Sequence, residues 1–147
     1  MLAPATEAGA AAAPATLAEC IVDCAADALI AVDVRGVITH WNRACEALFG
    51  YPRDEAIGVS VDLIIPERLR PAHWAGFRRA IDSGRTRLPG CATLTRARHR
   101  SGAAVYVEMT FAVISDADGR ALGSVAIARA SDKPPRAPGA ATDESSR

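Results

Sequence analysis

Between residues 103 and 114 the chain alternates strictly, with Val105, Val107, Met109, Phe111 and Val113 on one side and Tyr106, Glu108 and Thr110 between them. That period of two belongs to an extended strand, whose successive side chains point to opposite faces; on a helix the same apolar residues would be scattered round the circumference. The segment predicts a long strand with one face in a core and the other facing water, a helix or a partner. Ser101-Gly102 before it and Asp116-Ala117-Asp118-Gly119 after it are turn sequences, so about residues 88–98 and 122–130 are expected as further strands.

The N-terminal half supplies two more strands. Ala28 to Asp33 and Val37 to Asn42 are apolar runs joined across Val34-Arg35-Gly36, which reads as a hairpin. Ahead of them Leu17, Ile21 and Cys24 recur at helical spacing and predict a short leading helix. After them, the Asn42 side-chain oxygen is suited to cap a helix carrying Ala44, Cys45, Ala47, Leu48 and Phe49, which Gly50 ends. Tyr51 to Gly58 reads as one tight helical turn. Pro66 to about Ser83 reads as a long helix, with Pro71 near its first turn and Gly84 as its stop. Two strands, several helices and three strands predict an α+β domain with helices gathered on one face.

A chain of 147 residues has room for one such domain. Half the residues are hydrophobic but only 5% are aromatic, so the expected core is rich in small side chains, with Trp41 and Trp74 as large anchors. Seventeen Lys and Arg balance seventeen Asp and Glu, giving no global field to draw nucleic acid or an acidic membrane. The run Arg96-Ala97-Arg98-His99-Arg100 leads into a turn and reads as a solvated hairpin end. Residues 1–16 and 131–147, rich in Ala and Pro, are expected to be disordered tails around a domain at 17–130. Residues 1–16 also lack the pattern of a secretory signal, and no apolar stretch approaches bilayer length, which predicts a cytoplasmic protein with no membrane contact.

Cys20, Cys24, Cys45 and Cys91 lack the paired spacing of a zinc site and read as reduced thiols. Cys20 and Cys24, four apart, are expected to share a buried helix face. Asp33, Glu46, Asp54 and Glu55 fit capping and surface charge, His40 lies on a strand and His99 in a turn, and no glycine-rich phosphate loop is present. An enzyme is not expected.

The run from Asp33-Val34-Arg35-Gly36 through Trp41-Asn42-Arg43-Ala44 to Leu48-Phe49-Gly50-Tyr51 resembles the opening signature of PAS domains. Glu55-Ala56-Ile57-Gly58, Ile65-Pro66-Glu67-Arg68, Arg100-Ser101-Gly102, Val105 to Met109 and Gly123 to Arg129 continue the resemblance over about residues 17–130. It implies a five-stranded antiparallel sheet with short helices and one long helix enclosing a pocket on one face. It also implies a sensory or dimerisation module that passes its result to a kinase, cyclase or transcription regulator. Because the last strand leads only into the Pro-rich tail, a stand-alone module is expected, signalling through a homodimer or partner protein by way of the leading helix and the open sheet face.

The resemblance also sorts the ligands. The stretch Gly58-Val59-Ser60-Val61-Asp62-Leu63 holds no cysteine where light-oxygen-voltage domains form their flavin adduct, and neither Cys45 nor Cys91 matches a p-coumaric acid attachment site. Pro66-Glu67-Arg68-Leu69-Arg70-Pro71-Ala72-His73 is similar to the long-helix segment of haem-binding oxygen sensors, which places His73 at the proximal iron ligand. There Arg79 matches a propionate contact, and Thr93 stands where those sensors use an arginine toward oxygen. Helical geometry puts Leu69, Phe77 and Ala80 within about 40° of His73, on one apolar stripe. His73, Phe77, Met109 and Phe111 are the expected pocket lining. Three readings follow: a small-molecule sensor, a haem-based gas or redox sensor using His73, and a ligand-free dimerisation domain; without haem, His73 is expected as a hydrogen-bonded histidine at the pocket edge.

Overall fold

A computed structural model describes residues 13–87 and 89–134. Five strands, β1 (Ala28–Asp33), β2 (Ile38–Trp41), β3 (Thr93–Arg98), β4 (Ala104–Ser115) and β5 (Ala121–Ala130), form one antiparallel sheet in the order β2-β1-β5-β4-β3. The last strand enters between the N-terminal hairpin and β4, so the two β regions of the sequence become one sheet. The connecting residues 42–92 fold into α2 (Arg43–Phe49), α3 (Arg53–Ala56), two 3-10 turns (Val61–Ile64 and Glu67–Leu69) and the long α4 (Arg70–Ser83), while α1 (Leu17–Cys24) precedes β1.

The alternation in β4 holds: Val107 and Met109 are buried, Val105 and Phe111 pack against the core, and Glu108 is exposed. Trp41, Phe49, Ile38 and Cys45 fill the end of the core nearest β1 and β2, with the Trp41 and Phe49 rings 5.5 Å apart and the indole N–H donating to the Tyr51 carbonyl. Asn42 does more than cap. Wholly buried, it accepts from the backbone N–H of Cys45 and of Leu29 and donates to the carbonyls of Val22 and Asp27, so one amide joins the ends of α1, β1 and α2.

Three expectations need correction. Residues 89–92 are not strand: 89–90 form a turn, because Pro89 has no donor and Gly90 takes φ 71°, and 91–92 are irregular; β3 starts at Thr93, and Leu88 lies outside the described residues. The segment 66–83 is not one helix. Pro71 cannot donate an N–H, and its place at the first positions of α4 sets a boundary with the 3-10 turn before it. Cys20 and Cys24 are exposed, and α1 buries none of its residues, leaving Leu17 at 77% and Ile21 at 62% exposure. Helical periodicity showed that α1 has an apolar side but not what covers it. Thr16 closes a reciprocal capping box with Glu19 at its start; the tail expectations otherwise fall largely on 1–12 and 135–147, outside the described residues.

Candidate functional site

The sheet is hollow at its centre for a reason visible in the register. The inward residues of β5 are Ser124, Ala126 and Ala128, and they sit between larger neighbours, Ala126 beside Phe111 and Ile30 and Ala128 beside Met109. Opposite, α4 presents Ala72, Gly76 and Ala80. Two walls of small side chains held apart by large ones leave a cavity of about 460 Å³, within the range of small-molecule pockets. Its lining is mostly apolar.

His73, Phe77, Met109, Phe111 and Thr93 all line this cavity. Arg79 does not; it is exposed and lines an adjoining groove at the end of α4. The His73 ring stacks on Phe77 at 6.2 Å and meets the Trp74 ring edge-on at 5.0 Å. Its Nδ1 is sealed from solvent and has no hydrogen-bond partner among the described residues, which disagrees with a hydrogen-bonded histidine at the pocket edge. Burial pushes the His73 pKa down, with Asp62 pulling weakly the other way, so the ring is held neutral with a lone pair available.

What fixes the ring is a clamp that sequence reading missed. The Trp74 indole N–H donates to Asp62 Oδ1 at 2.9 Å, and Arg70 lies 3.7 Å from the same oxygen while donating to the carbonyls of Asp62 and Ile65. The outer edge of Trp74 lies over Gly36 in the β1–β2 turn, where a Cβ would come within 2.2 Å of the indole and φ is 81°. Asp62 sits on a 3-10 turn twelve residues from Trp74, a spacing with no periodic signature. Cys91 was also missed as a lining residue, although it lies two positions before Thr93 and shares its parity.

The other titratable groups have structural explanations. The Cys45 thiol donates to the Leu29 carbonyl and is pushed up to about 12 by burial. Asp33 is held below the usual carboxylate range mainly by the Val37 N–H, within the hairpin turn. No group of three or more His, Cys, Asp or Glu among the described residues could hold a metal ion, and no described helix is long and apolar enough to cross a membrane.

The model of the PAS fold matches residues 18–130, every element from α1 to β5. The chain belongs to the PAS family. PAS domains are sensory modules, and two curated sensors are similar to this one. The oxygen sensor protein DosP of Escherichia coli is 31% identical over 78 residues, 53% of this chain and 10% of DosP. The sensor protein FixL of Bradyrhizobium diazoefficiens is 32% identical over 76 residues, 52% of this chain and 15% of FixL. The chain thus corresponds to a small part of either relative. A PAS domain of known structure from Colwellia psychrerythraea superposes with a TM-score of 0.65 at 23% identity, over 75% of this chain and 90% of that one, and supports the five-stranded α+β fold.

Proposed function

We propose that this PAS domain is a sensor whose cavity holds haem, with His73 as the axial ligand. The observation that carries the reading is the neutral, unpartnered imidazole on the wall of an otherwise apolar cavity: a buried nitrogen without a hydrogen bond is costly unless another partner repays it. The likeness to an oxygen sensor protein supports it. Haem, when bound, would supply the iron at which a diatomic gas or a change of redox state registers. The chain's own residues do the rest. Trp74 and Phe77 fix the imidazole, Met109 and Phe111 exclude water from the sheet side, and Thr93 offers a hydroxyl where the resembling sensors carry a guanidinium.

The second part of the reading concerns output. Leu17 and Ile21 on α1 and Leu122 and Ile127 on β5 are exposed, at 77, 62, 54 and 42%. A second copy or a partner such as a kinase, cyclase or transcription regulator would cover them. The clamp gives the cavity a route outward, because α4 leans on the β1–β2 hairpin through Trp74 and Gly36, and Asn42 ties that hairpin to α1.

The test is reconstitution of the purified chain with haemin. One Soret-absorbing haem per chain whose band moves on reduction and on carbon monoxide is expected. Failure to retain haem through gel filtration rejects the haem reading and leaves an organic ligand or a purely associative role.

A further inference from the structure

The inner cavity adjoins a second, shallower space of about 580 Å³ along the C-terminal half of α4 and the turn after it, and the two share Gly76, Ala80, Thr86 and Arg87 as a common border. Their chemistry differs sharply. The inner space is apolar, whereas the outer groove carries Arg79, Arg85 and Arg87 against one acid, Asp82. None of the three arginines is in an ion pair among the described residues, although six other arginines are. Arg79 Nη2 lies 3.9 Å from where a Cβ on Gly76 would stand, which puts this guanidinium beside the shared border.

We propose that the cavity and the groove form one two-part site for an amphipathic anion, with the apolar body of the ligand inside and its carboxylate or phosphate against Arg79, Arg85 and Arg87. This rests on the reading that the cavity holds a ligand, but not on that ligand being haem. The exposed C-terminal carbonyls of α4 alone would repel an anion. Three unpaired guanidinium groups around them reverse that field, and their planar forks match carboxylate and phosphate oxygens. An apolar chamber leading to a basic mouth selects acids over their neutral esters, because only the acid meets both halves.

The experiment uses the full chain, as wild type and as Arg85→Gln with Arg87→Gln. Both substituted side chains are exposed and folding is checked by circular dichroism. Haemin and its dimethyl ester are titrated by absorbance, and dodecanoate and methyl dodecanoate by Trp fluorescence. The acid of at least one pair should bind about tenfold more tightly than its ester, the preference should weaken with salt, and the double variant should lose it. If haemin fails but dodecanoate keeps an arginine-dependent preference, the haem reading falls and the two-part site stands. If haemin and its ester bind alike and dodecanoate also shows no preference over its ester, haem stands and this proposal is overturned. Equal binding of both acids by variant and wild type, or no binding of either acid, also overturns it.

Discussion

Replacing Asn42 by Ala removes two acceptor and two donor roles from a side chain with no exposure. Loss of the helix cap alone costs about 1 kcal/mol. The Leu29 N–H and the Val22 and Asp27 carbonyls are then left without this partner; being only partly buried they recover some hydration, so together they add about 2 kcal/mol. A total of about 3 kcal/mol corresponds to a fall in Tm of roughly 10 °C for a domain of this size. Asn42→Asp separates the halves of the account. It keeps both acceptor roles but turns a donor toward two carbonyls into a carboxylate, so it should be at least as unstable as the Ala variant at pH 7. It should recover relative to Ala near pH 4, where protonation restores one donor. Urea unfolding of the three proteins at both pH values decides. A loss below about 1 kcal/mol for Asn42→Ala, or an Asp variant as stable as wild type at pH 7, refutes the four-bond reasoning.

Other consequences follow from the same contacts. A Cβ on Gly123 would lie 1.9 Å from the Val32 carbonyl oxygen, so Gly123→Ala must push β1 and β5 apart and should cost about 1–3 kcal/mol in chemical denaturation. Of the four thiols, Cys20, Cys24 and Cys91 are exposed and should react rapidly with iodoacetamide in the native protein. Cys45 should react only on unfolding, as read by mass spectrometry. Because burial depresses the His73 pKa, the unfolded chain takes up the proton first as pH falls below about 6.5. The ligand-free domain should therefore lose stability with falling pH through that region until the folded state also protonates. His73→Phe should flatten that part of the profile measured by thermal unfolding.

The strands were legible because a period of two with turn residues at both ends leaves little choice, as at Val105 to Val113, and the Asn42 cap was legible because capping is local. The cavity wall was half legible. Parity on β4 and the helical stripe around His73 named its lining, but the hollow itself depends on small Ala126 lying between Phe111 and Ile30, a pairing across strands that alternation within one strand cannot show. Asp62 and Gly36 were opaque for a similar reason. Each acts on Trp74 from a distant turn. Arg79 was named by the resemblance alone, and six residues after His73 it stands about 120° round the helix from the pocket stripe, which leaves it outside the cavity.

The most direct test of the central claim is haem binding by His73→Gly with and without added imidazole, followed by visible absorption. The account predicts that the variant loses stoichiometric haem, or its axial-ligand signature, and that imidazole entering the vacated space restores both. Wild-type spectra in the variant without imidazole would show that His73 is not the ligand.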